Sequence, residues 1–168
     1  MRNKKTLQLT TMAFVIAFAM ILSFVESRIP AFVAIPGVKV GLANIAVIFT
    51  LYKLGVKEAI TVSIIRVLLI SMLFGSPVSL IYSISGATLS LATMILLKKL
   101  TPLTEVTISV TGGVMHNVGQ IAAASFMLST NVVIYYLPFL LVSGTIAGVV
   151  VGIASAILIK RIKFDYRP

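Results

Sequence analysis

The chain has no cysteine and no tryptophan, one histidine, and four acidic residues, of which only Asp165 is an aspartate. Without cysteine there is no disulfide, no thiolate nucleophile and no Cys-ligated metal, and a single histidine disfavours a zinc site. The sequence contains no G-x-x-x-x-G-K-[ST] phosphate loop, no G-x-S-x-G elbow and no H-E-x-x-H helix. Acid–base or two-metal chemistry on a diphosphate needs several carboxylates at one place. Glu58, Glu105 and Asp165 are expected at one end of the molecule and Glu26 at the other, so they do not converge. The chain is therefore expected not to be an enzyme: it should neither hydrolyse ATP nor condense prenyl diphosphates by itself, and no cofactor or metal is expected.

Apolar residues are what the chain has in excess. Of 168 residues, 59% are apolar and 11% charged, with a mean hydropathy of +1.12, against about 45–50% apolar in ordinary globular chains. A soluble single domain is excluded. The net charge of +10 would suit nucleic acid, but the basic residues are scattered between long apolar runs and form no binding stripe, so no nucleic-acid partner is expected. The lipid bilayer is the expected surrounding.

A spanning helix needs roughly 20 mainly apolar residues, and six such runs are expected, at about Leu7–Val25, Val40–Leu54, Glu58–Phe74, Pro77–Leu97, Val106–Leu128 and Val132–Ile159. The beginning, Met1-Arg-Asn-Lys-Lys before an apolar run with Ala17-Phe18-Ala19 inside it, imitates a signal peptide. The apolar stretch continues to Val25, and it is read as an uncleaved helix. With the N-terminus inside, Arg2, Lys4, Lys5, Lys53, Lys57, Lys98, Lys99, Lys160, Arg161, Lys163 and Arg167 fall on the cytoplasmic side, and only Arg28 and Lys39 fall outside. That bias sets both termini in the cytoplasm of a multi-pass cell-membrane protein. The expected fold is one all-α membrane domain, a six-transmembrane-helix bundle over residues 1–168. Its outer loop, 26–39, holds two prolines and a glycine and is read either as an interfacial loop or as a lid over an outward-facing pocket.

Polar residues inside the apolar runs mark candidate sites. Arg66 lies near the middle of the third span, where an arginine costs about 2.5–3.5 kcal/mol on translocon scales and normally faces a cavity, a partner or an anionic ligand. No acid is expected at its depth. Either it bonds backbone carbonyls and Ser or Asn of neighbouring helices, or it serves a pocket. His116, Asn117 and Gln120 form the most polar stretch of the fifth span, with His116 and Gln120 on one face. Asn44 and Tyr82 complete the candidate substrate-binding set, with Ser79 and Ser83 beside Tyr82, while Tyr135 and Tyr136 are read as interfacial anchors. Arg66, Arg28 and Lys39 suggest a small, anionic or otherwise electron-rich substrate. Gly144, Gly148 and Gly152 on the sixth span, and Ala13 and Ala17 on the first, form small-residue stripes that permit close helix approach.

Ile35-Pro-Gly-Val-Lys-Val-Gly-Leu-Ala-Asn-Ile45 and Gly112-Gly-Val-Met-His-Asn-Val-Gly-Gln120, in a six-span chain of this size, resemble the Gx-transporter family, also labelled heptaprenyl diphosphate synthase component I. That family is similar to the substrate-binding S components of energy-coupling-factor (ECF) vitamin transporters. The resemblance covers roughly Leu7 to Ile159. It implies an S-component-like bundle with an extracellular pocket under the first outer loop, which captures a small molecule for ATP-driven uptake with a transmembrane coupling subunit and two ATPase subunits. It also implies that Ala13 and Ala17, which match the Ala-x-x-x-Ala stripe of S components, dock the coupling subunit. Catalytic subunits of prenyl diphosphate synthases use Asp-rich magnesium motifs that this chain lacks, so the synthase label implies at most a non-catalytic accessory subunit in prenyl diphosphate or quinone metabolism.

Overall fold

The structure, a computed structural model, describes residues 4–28, 41–74, 76–129 and 132–162. Among them are six α-helices: α1 (Lys4–Arg28), α2 (Asn44–Lys53), α3 (Val56–Phe74), α4 (Pro77–Leu100), α5 (Glu105–Leu128) and α6 (Leu137–Arg161), with a 3₁₀ turn at Val132–Tyr136 before α6. The fold is an all-helical bundle, and α1, α4 and the Val132–Arg161 segment are long and apolar enough to cross a membrane. The other two long helices fall short in apolarity for a local reason: α3 carries Lys57, Glu58 and Arg66, and α5 carries His116, Asn117 and Gln120.

Helix ends follow local chemistry. Pro77 occupies the first turn of α4, where no amide partner is lost, and Ser76 and Ser79 close a reciprocal capping box in front of it. Thr104 caps α5 by accepting from the Thr107 amide. Three boundaries differ from the sequence-based spans. The first helix does not stop at Val25 but continues to Arg28, which makes Glu26 helical instead of part of an outer loop. The second span shrinks to ten residues, about 15 Å long, because Gly41 takes a left-handed φ of +74° and a turn precedes Asn44. The sixth run begins as a 3₁₀ turn, and α6 starts only at Leu137, with Pro138 in its first turn. The rest of the expected outer loop, including Lys39, lies outside the described residues, as do Arg2, Lys163, Asp165 and Arg167.

Short connections make consecutive helices antiparallel, which brings Lys53, Lys57, Lys98, Lys99, Lys160 and Arg161 to one end of the bundle. Two cross-helix bonds tie that end: Gln8 donates to Glu58 (2.6 Å), and the Lys98 ammonium donates to the Leu51 carbonyl at the end of α2 (2.5 Å). The hydrophobic core lies in the same half. Ile45 to Leu51 of α2 are all buried, and they pack with Ala19, Ala59, Val62, Leu91, Ile108 and Val151. A helix that is apolar all round belongs in the interior, and α2 fills the space between α1, α3 and α6.

Glycine sets the spacing along α5. A Cβ at Gly148 would lie 2.6 Å from the Val110 Cα, and one at Gly119 would lie 2.7 Å from the Ser85 carbonyl oxygen. The glycine stripe of α6 is therefore used in internal packing against α5, and α5 is held closely between α4 and α6. Large apolar side chains such as Phe14, Ile21, Met72, Phe126, Val142 and Ile146 point outward, the surface that a bilayer covers.

Candidate ligand-binding cavity

The inward stripe of α3 runs through Ala59, Val62, Ser63, Arg66 and Val67, spaced by three or four residues, and each of these side chains is buried. Arg66 is thereby carried into the bundle interior at 7% exposure. On α5, the close contact of Gly112 and Gly119 with α4 turns His116 and Gln120 toward α4, where both approach Gly86. Asn117 turns toward α6 and donates to the Leu140 carbonyl (2.5 Å). The late start of α2 leaves Asn44 at the head of a short helix, beside Gly41.

These local placements meet in one cavity of about 220 Å³, to which all six helices contribute. Its wall includes Asn44, Arg66, Tyr82, His116, Asn117 and Gln120, the whole candidate set drawn from the sequence, together with Ser79 and Ser83. The cavity extends to the end of the bundle opposite the lysine-rich end, as the early residues of α4 and the last turn of α1 in its wall require. Apolar groups complete it, among them Ile48, Ile70, Met94 and Val151. Such a mixture, a mostly apolar concavity with a few convergent polar groups, is the usual form of a small-molecule site.

Other residues that the sequence reading had not singled out also stand in the wall. Ser90 and Ser109 are 4% and 3% exposed and face the cavity from α4 and α5. Serine is common in apolar helices, where its hydroxyl can bond the carbonyl four residues back as Ser23 does with Ala19, so its presence alone gives no signal. Ser109 makes no such bond: its Oγ and the Arg66 Nε are buried without a hydrogen-bond partner. Buried polar groups are normally satisfied, and unsatisfied ones call for a specific account.

Glu26 requires a correction. No acid was expected at the depth of Arg66, and Glu26 stands nearer the end of the bundle; it nevertheless lines the same cavity and lies within electrostatic reach of the guanidinium. The reason is the extra turn of α1, which carries Glu26 inward instead of releasing it into a loop. Its Oε1 accepts from the Gly41 amide (2.5 Å), linking the end of α1 to the approach of α2. The signal was present in the sequence, since the chain has only four acids and this one directly follows an apolar run.

The remaining expectations fall outside the cavity. Ala13 and Ala17 are exposed, on an α1 face shared with Leu9, Ile21 and Val25. Tyr135 and Tyr136 are 85% and 51% exposed, as interfacial anchors would be. Arg28 ends α1, and its side chain is outside the described set.

A family model described as heptaprenyl diphosphate synthase component I matches residues 15–158. The chain belongs to this family. The match takes in every residue of the cavity wall, from Ser23 to Val151, and it includes Ala17 while starting just after Ala13. No curated protein and no solved structure gave a match to this chain.

Proposed function

We propose that the protein is a substrate-binding membrane subunit, an S component of an ECF-type importer, which captures a small molecule in the Arg66 cavity from outside the cell. Convergence carries this reading. Polar residues picked from separate spans meet around one buried arginine, with Arg66 Nε and Ser109 Oγ left for a ligand to satisfy. The lysine-rich end faces the cytoplasm, with both termini of the cell-membrane protein, so the cavity extends into the outer half. Uptake is driven by partners: a transmembrane coupling subunit, which docks on the exposed Ala13–Ala17 face of α1, and two ATPase subunits. In this reading the chain binds and delivers its ligand, and its partners supply the ATP hydrolysis.

The family's description favours a second reading, in which the chain is the non-catalytic membrane component of a heptaprenyl diphosphate synthase and its partner is a soluble prenyltransferase. Purification of the tagged protein from its native membrane, followed by identification of bound proteins, separates the two. Recovery of a membrane coupling protein with ATPases supports import. Recovery of a soluble prenyltransferase with no ATPase replaces import with the accessory role.

A further inference from the structure

The cavity wall contains two fixed charges of opposite sign among the described residues, the Arg66 guanidinium and the Glu26 carboxylate. They come from different helices and sit at different depths. Arg66 is 7% exposed in the middle of α3 and its Nε has no partner, whereas Glu26 is half-buried in the last turn of α1. Glu26 commits Oε1 to the Gly41 amide, and its second oxygen remains able to accept.

We propose that the ligand is a small zwitterion, with an anionic group that binds Arg66 deep in the cavity and a cationic, hydrogen-donating group that binds Glu26 nearer the mouth. This rests on the reading of the cavity as the ligand site and goes on to name the ligand's chemical class. Charge balance in a poorly solvated space sets the ligand's class. A buried charge is tolerated when it is paired and hydrogen-bonded, and it is strongly unfavourable when left over. A zwitterion supplies one partner to each wall charge and leaves none in excess. A simple carboxylate satisfies Arg66 but adds a second anion beside Glu26. A diphosphate, with at least two negative charges, meets a single guanidinium and an opposing carboxylate, so a prenyl diphosphate is a poor occupant.

The test uses four probes: tryptophan (zwitterion), indole-3-propionate (anion), tryptamine (cation) and farnesyl diphosphate (polyanion). Each is titrated calorimetrically into detergent-purified wild type, Glu26→Gln, Arg66→Gln and Gln120→Ala. Circular dichroism and gel filtration confirm that each variant is folded. Wild type is expected to bind tryptophan at least tenfold more tightly than any other probe. Glu26→Gln should abolish that preference by weakening tryptophan and admitting indole-3-propionate, and Arg66→Gln should weaken both. Tighter wild-type binding of indole-3-propionate, tryptamine or farnesyl diphosphate overturns the inference, and so does an unchanged order of affinities in Glu26→Gln. If that other probe is lost in Gln120→Ala, the cavity survives as the ligand site and only the charge pattern fails. Absence of binding by all four probes also overturns the zwitterion, while the mass of any ligand retained by the native protein still judges the site.

Discussion

The Asn117 amide on α5 donates a 2.5 Å hydrogen bond to the Leu140 carbonyl on α6, within the wall of the cavity. One of the polar residues that look like ligand contacts in the sequence is thus also a tie between helices. Asn117→Ala removes this tie while the Leu140 carbonyl still accepts from Ser143 Oγ (3.1 Å), so it should destabilise the protein by about 0.5–1.5 kcal/mol, the net worth of one hydrogen bond. Gln120→Ala should lower the melting temperature less. Thermal unfolding of both variants in one detergent checks the order, and equal stability of Asn117→Ala and wild type would contradict it.

The approach of α6 to α5 depends on the absence of a side chain at Gly148, whose Cβ would stand 2.6 Å from the Val110 Cα. That neighbour is backbone and has little freedom to yield. Gly148→Val should cost at least about 1–3 kcal/mol, the range for overpacking, and reduce the fraction of monodisperse protein in gel filtration. Ile146→Val, at a residue 61% exposed on the same helix, serves as the neutral comparison.

Lys98 lies with its ammonium 2.5 Å from the Leu51 carbonyl and 4.5 Å from the centre of the Tyr52 ring. It closes the C-terminal end of the short α2, where carbonyls lack helical partners. Lys98→Met keeps the aliphatic stem and removes the donor and the charge. Its expected effect is a loss of about 1–2 kcal/mol, measured as a fall in melting temperature. Lys99→Met, an exposed neighbour, should change little.

The exposed Ala13 and Ala17 predict a partner surface that can be lost without loss of fold. Ala13→Leu with Ala17→Leu adds bulk where close helix approach needs small residues. Recovery of the coupling subunit in pull-downs should fall at least tenfold, while the melting temperature of the isolated protein stays within a degree or two. Undiminished recovery would remove this face from the account.

Sidedness is tested by single cysteines, since the chain has none of its own. Tyr135→Cys, at a residue 85% exposed before α6, should react with a membrane-impermeant maleimide in intact cells. Leu103→Cys, 40% exposed at the opposite end, should react only after permeabilisation. The reverse pattern would invert the molecule in the membrane.

Arg66, His116, Asn117 and Gln120 were legible in the sequence because polar side chains are costly in apolar helices and stand out against their neighbours. That Asn44 and Tyr82 join them follows from the antiparallel order that short connections impose. The sequence reads Glu26 as part of a loop, because the two residues of α1 that follow it, Ser27 and Arg28, carry no apolar signal. The half-length of α2 was hidden for the opposite reason: Val40, Leu42 and Ala43 are apolar, so hydropathy runs on across the turn at Gly41. Ser90 and Ser109 were hidden because a serine in an apolar helix looks the same whether or not its hydroxyl is satisfied.

The central claim, that the Arg66 cavity holds a small-molecule ligand, is tested most directly by native mass spectrometry of gently purified wild type beside Arg66→Gln and Gln120→Ala. The account predicts an added small-molecule mass on wild type that is absent from Arg66→Gln and reduced in Gln120→Ala, with all three proteins folded. Variants that retain the wild-type mass but unfold at lower temperature would contradict it, and would make the polar cluster part of the framework of the bundle.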